Sequence, residues 1–108
     1  MGQLPFRVDV ARHGRRLAVS VVGELDYAAS LRLDEALQKE LADADVELVF
    51  DFSQLTFLDS EGLKVLLRAY HRVGEAAGAF SIIGCSVPVV RLFSILGLTK
   101  ALNVQAAP

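Results

Sequence analysis

The sequence predicts an α/β domain in which one mixed β-sheet of about four to five strands carries helices packed mainly on one face. Short β-prone runs alternate with stretches whose apolar residues recur at helical spacing, the pattern of a sheet assembled through crossover connections. The chain has 108 residues, enough for one domain with an adequate core. No repeat, low-complexity segment or Pro/Gly/Ser linker divides it, so 1–108 reads as a single unit. Its core runs over about 6–104, with frayed ends "MGQLP" and "QAAP".

The first elements read as a hairpin. Phe6 to Val10 and Leu17 to Val22 are β-prone and partly alternating, and the polar, Gly-containing "ARHGRR" between them reads as a turn. After "GELDY", Ala29, Leu33, Ala36, Leu37 and Leu41 recur at helical spacing between charged residues, which predicts a helix with one face on the sheet. "VELVFDF" puts Val46, Leu48, Phe50 and Phe52 on one side of a strand and Glu47, Val49 and Asp51 on the other.

A second helix follows "LDSEG", with Leu63, Leu66, Leu67, Tyr70, Val73 and Ala77 on its apolar face and Gly78 as its C-terminal stop. "AFSIIGC" reads as a further strand. "VPVVRLFSILG" reads as a last short helix with Pro88 in the first turn and Gly97 just past the end. On that helix Val89, Leu92, Phe93 and Leu96 form a core face, and Val90 and Ile95 leave little of the opposite side polar. Burial under the tail "LTKALNV" is the expected fate of this second apolar surface.

Composition narrows the function. The chain is 53% hydrophobic and 22% charged, and 11 basic against 13 acidic residues leave a formal net charge of -2, with no electropositive footprint for direct nucleic-acid binding. The single Cys85 cannot form an internal disulfide. No run of about eighteen apolar residues or export leader is present, so no membrane insertion and a cytoplasmic location are expected. His13 falls in the turn and His71 on the polar side of the second helix, and neither has a Cys or His at metal-ligand spacing. There is no G-x-S-x-G elbow, phosphate loop or dinucleotide fingerprint. The reading is a protein without catalytic activity, cofactor or metal, and a monomer that covers its sheet with its own helices.

What remains is the polar cluster "DFSQLTFLDSEGL". Ser60 stands just before the helical periodicity, so its hydroxyl reads as an N-cap that accepts from a first-turn N–H. The same geometry suits a phosphate, which would meet free first-turn N–H groups and the positive end of the helix dipole, worth about 0.3–1 kcal/mol. Phosphorylation would then leave the fold intact. It would add about -1.5 to -2 charges beside Asp59 and Glu61, which a partner facing this corner would feel.

The span "DFSQLTFLDSEGLKVLL" resembles the signature of the STAS-domain anti-sigma-factor antagonists, in which a strand and short loop lead into D-S-[ST]-G-L at the start of a helix. "VSVVGELDYAAS" resembles the family's second strand and G-E-L-D loop, and "VVRLFSILGLTKAL" its closing helix and hydrophobic tail. The resemblance implies that Ser60 is the phosphorylation site. It implies an unphosphorylated antagonist that binds an anti-sigma factor, itself a serine protein kinase, and frees the sigma factor. The kinase then phosphorylates and releases the antagonist, and a metal-dependent serine phosphatase resets it.

The resemblance also makes Asp26 a kinase contact and Asp59 the residue that orients or exposes the serine, with Ser60, Glu61 and Gly62 completing the partner-binding set. Asp26 otherwise reads as a turn-forming residue and Asp59 as a loop acid near a helix N-terminus. Glu61 departs from the family's usual Ser or Thr, and its physical reading is stabilisation of the helix dipole. Glycine in a first turn costs helix stability, so Gly62 implies close approach by backbone or partner, and Gly62→Leu is expected to impair docking more than folding. A second class, a STAS accessory subunit on a lipid-transport ATPase that never carries phosphate, shares the fold.

Overall fold

The computed structural model describes residues 4–108; the frayed end expected at Met1–Gln3 lies outside the described residues. Strands β1 (Arg7–His13) and β2 (Arg16–Leu25) form the expected hairpin, paired from Arg7↔Val22 to His13↔Arg16. The strands run further toward each other than the polar "ARHGRR" suggests. The turn shrinks to Gly14 and Arg15, and Gly14 supplies the positive φ of +61° that a two-residue hairpin loop needs.

Helix α1 (Tyr27–Glu40) leads to β3 (Glu47–Asp51) and β4 (Leu55–Leu58), then α2 (Ser60–Glu75), β5 (Ala79–Cys85), α3 (Val87–Ile95) and β6 (Val104–Ala106). The sheet has six strands in the order β1-β2-β3-β5-β6, and β4 pairs with β2. Every pairing after the hairpin is parallel. Beyond the sequence expectation are β4 and β6, which join the sheet through four and three residues respectively. β4 continues along β2 after β3 leaves it, with a register shift at Gly23/Glu24.

The path β2→β3→β5→β6 never reverses direction, so right-handed crossovers place α1, α2 and α3 on the same face. Their buried residues meet one core, in which Leu17, Val19, Val21, Leu48, Phe50 and Ile82 of the sheet pack against Leu33, Leu37, Leu66, Val73 and Phe93 of the helices. The buried stripe of α2 is Gly62, Val65, Leu66, Ala69 and Val73, with Leu63, Leu67 and Tyr70 only partly covered. It is rotated from the expected face because α2 packs on α1 as well as on the sheet.

The end of α2 also corrects the sequence reading. Ala77 lies past the helix, exposed, and it takes the left-handed conformation, φ +60°. Gly78 N–H reaches back to the Val73 carbonyl at 2.8 Å and Ala77 N–H to that of Gly74 at 3.1 Å, a Schellman closure. Gly78 is glycine for another reason, since a Cβ there would stand 2.4 Å from the Val46 carbonyl oxygen. At α3 the expected stop is observed, with Gly97 at φ +71° and Leu98 N–H donating to the Phe93 carbonyl. The tail buries Leu102 but leaves Ile95 76% exposed on the outer side of α3, and Leu96, expected on the core face, is itself 46% exposed at the C-cap, past the last helical turn.

Candidate functional site

Parallel strands end at one edge of the sheet, and there the helices begin. β2 ends at Leu25 and Asp26 caps α1; β4 ends at Leu58 and Asp59 caps α2. The Asp59 N–H donates to the Leu25 carbonyl at 3.3 Å, which ties the two starts together and brings Asp26 and Ser60 to adjoining corners.

Asp26 Oδ1 accepts from the Ala29 N–H at 2.9 Å, so the turn-forming aspartate is a helix cap. Its neighbour Ser30 is buried, and its hydroxyl donates to the Tyr27 carbonyl at 2.6 Å. Ser60 is not the N-cap the sequence suggested. It occupies the first helical position, and the cap is Asp59, whose Oδ1 accepts from the Glu61 and Gly62 N–H groups at 3.0 Å each. A carboxylate in this place satisfies two donors and adds charge at the positive end of the helix, whereas a serine would satisfy fewer. The Ser60 side chain is therefore left over: it is exposed, and among the described residues no hydrogen bond engages its hydroxyl.

Gly62 differs from expectation, while Glu61 stands in the first turn of α2 as its physical reading required. Gly62 is buried, and a Cβ there would lie 2.7 Å from Leu25 Cγ and 2.8 Å from Leu58 Cδ1. The close approach it permits is by side chains of its own chain, so Gly62 offers no surface to a partner, and Gly62→Leu damages folding first. Glu61 is half-buried and pairs with Lys64, Nζ to Oε2 3.3 Å, one turn along the outer face of α2.

Ser60 also lies on the rim of an apolar hollow lined by Leu58, Leu63, Leu92 and Leu96, with Asp59 beside it. Further exposed apolar side chains, Tyr27 and Leu31 on α1, Phe57 on β4 and Ile95 on α3, lie on elements meeting this edge. Sequence reasoning did not single out Tyr27, Leu31 or Phe57. The available signal was that Leu31 falls off the Leu33/Leu37 stripe and that Tyr27 directly follows the capping acid.

Other chemistry at this edge is sparse. Cys85 is buried, and burial pushes its thiol up to about 11, with the Asp51 carboxylate adding to the effect. Among the described residues no group of three His, Cys, Asp or Glu could hold a metal, and no helix is long and apolar enough to cross a membrane.

A mixed sheet with its helices on one face and two aspartate-capped helix starts at one edge defines a class of fold, and comparison with known proteins agrees. The family model of the STAS domain matches residues 7–107, and the chain belongs to that family. It is 31% identical over 97 residues to the anti-sigma-F factor antagonist RsfB of Mycobacterium tuberculosis, covering 90% of this chain and 79% of that one. It is 29% identical over 103 residues to the anti-sigma F factor antagonist of Paenibacillus polymyxa, covering 92% and 86% of the two chains. Among solved structures, an anti-sigma factor antagonist from Mycobacterium paratuberculosis is 31% identical and similar in fold, with a TM-score of 0.82 over 94% of this chain and 86% of that one.

Proposed function

We propose that this protein is an anti-sigma-factor antagonist, a cytoplasmic, monomeric regulatory binding protein rather than an enzyme. Its unphosphorylated form binds an anti-sigma factor that is also a serine kinase and so frees the sigma factor. The kinase transfers the γ-phosphoryl group of ATP to the Ser60 oxygen, ADP leaves, and the hydroxyl proton passes to the kinase. The phosphorylated protein dissociates, and a metal-dependent serine phosphatase hydrolyses the phosphate to reset it.

The observation that carries this reading is the Ser60 hydroxyl, exposed and without a hydrogen bond among the described residues, at the rim of an apolar hollow and directly after an aspartate already committed to capping. Neither the cap nor the core needs it, which frees it for modification. Apolar surface around it suits a docked partner, and a dianion in that interface would face desolvation and the charges of Asp59 and Glu61. Like-charge juxtaposition costs several kcal/mol, and about 1.4 kcal/mol already weakens binding tenfold. The names of the 31% and 29% identical relatives support the same assignment.

The test is to recover the protein from its native cells in unstressed and stressed cultures, map its phosphosites, and identify proteins that co-purify with it. Phosphate on Ser60 that changes with condition, together with a kinase-type anti-sigma factor, is the expected result. Ser60 unmodified in every condition, with a lipid-transport ATPase as the reproducible partner, would overturn it in favour of a structural accessory.

A further inference from the structure

A phosphate on Ser60 finds the three amides that follow it already taken. Glu61 N–H and Gly62 N–H both donate to Asp59 Oδ1, and Leu63 N–H donates to the Asp59 carbonyl. To take those donors the phosphate would have to displace another anion, exchanging one charge-assisted contact for another. The nearby cation that is cheaply available is Lys64. It follows Ser60 by four residues, hence lies one helical turn along the same side of α2. Among the described residues it is held by the solvated pair with Glu61, 3.3 Å long with the lysine side chain 62% exposed, and pairs of that kind are weak. A phosphate dianion is the stronger competitor for an ammonium than one carboxylate.

We propose that Lys64 is the built-in counter-ion of phosphoserine 60, and that phosphorylation exchanges the Glu61–Lys64 pair for a phosphate–Lys64 pair while Asp59 keeps its cap. This rests on the reading of Ser60 as the phosphoacceptor. It assigns a role to Glu61, which parks Lys64 in the unmodified protein and releases it when the phosphate arrives. The freed Glu61 carboxylate then adds to the negative charge at the rim of the hollow, so one modification changes two side chains. Lys64 acts through the phosphate and is a positioning residue.

The test uses the full chain with phosphoserine inserted at position 60 during translation, as wild type, Lys64→Met and Lys64→Arg, with the phosphate's second ionisation followed by phosphorus NMR. The wild-type value is the reference for the two variants. Lys64→Met should raise it by about 0.15–0.4 of a pH unit, the scale of one exposed helical ion pair. Lys64→Arg should restore it, and added salt should close the gap. The Glu61 and Gly62 amide resonances should stay near their unmodified positions. An unchanged titration in Lys64→Met would overturn the proposal. So would Glu61 and Gly62 amide protons that move strongly and titrate with the phosphate, which would put the phosphate in place of Asp59. Because the phosphoserine is installed, the result is independent of any kinase; native Ser60 found always unmodified would sink the switch reading and leave this measurement standing.

Discussion

Gly62 and Gly74 occupy the same helix, and changing each to alanine should move stability in opposite directions. At Gly62 a Cβ would meet Leu25 Cγ at 2.7 Å, Leu58 Cδ1 at 2.8 Å and Leu25 Cδ2 at 2.9 Å. Those distances are about 1 Å inside ordinary carbon contact. Leu25 is fully buried and Leu58 nearly so, which leaves neither much room to yield. Overpacking of this kind costs about 1–3 kcal/mol, against a helix-propensity gain of at most about 1 kcal/mol. The net expectation for Gly62→Ala is a loss of about 1–2 kcal/mol, or roughly 5–10 °C in Tm for a domain of this size. At Gly74 nothing lies within 4 Å, so Gly74→Ala keeps the propensity gain and should stabilise by about 0.5–1 kcal/mol. Urea unfolding followed by circular dichroism measures both. Equal upward shifts in midpoint would refute the packing argument, because Leu25 and Leu58 would then have moved aside at no cost.

Three other expectations follow from single residues. Ala77→Gly should raise the urea midpoint: relief of a left-handed alanine, about 1–2 kcal/mol, outweighs the roughly 0.5–1 kcal/mol of extra chain entropy. Asp26→Ala should lose the cap of α1, about 0.5–2 kcal/mol, while Asp26→Asn keeps it. Unchanged stability in Asp26→Asn with a raised Kd for the co-purified anti-sigma partner would therefore make Asp26 a contact, and an unchanged Kd would leave it a cap. The Cys85 thiol, pushed up to about 11, is protonated in the folded protein where an unfolded thiol already ionises. Its contribution to stability is present below the ordinary thiol range and is lost as pH rises through about 11; a disulfide reagent near pH 8 should label native protein slowly and urea-unfolded protein fast, and fast native labelling would contradict the burial.

Much of the fold was legible because most elements carry their own periodicity. β2, α1 and α2 each bury a stripe long enough to be read locally, and β3 and β5 are short apolar runs bounded by polar residues or glycine. β4 and β6 were not legible. Leu55–Leu58 buries its two ends and exposes Thr56 and Phe57, so it shows no alternation, and Val104–Ala106 is three residues whose place depends on β5 lying beside them. The site was legible as a cluster but not in its division of labour. "LDSEG" announces a helix start, and local sequence leaves open which of two adjacent polar residues takes the cap. Tertiary pairing decides it, because the Asp59 N–H is fixed to the Leu25 carbonyl and its carboxylate thereby faces the first turn. Gly62 was misread for a similar reason, since the leucine that fills the space above it comes from β2, 37 positions earlier in the chain.

That pairing also accounts for how the corner could carry the proposed modification and stay rigid. Parallel strands that all advance in one direction deliver successive helix starts to the same sheet edge, the place where α/β sheets offer loops and first turns to other molecules. Capping there by Asp26 and Asp59 satisfies the backbone with acids that do not depend on the state of Ser60. A serine that served as the cap would, on phosphorylation, alter the helix it begins. On the proposed reading, a serine one position later would gain or lose two charges while the cap stays in place, so the change would be felt by a partner docked on the hollow beside it and by Lys64, and the domain itself would be spared.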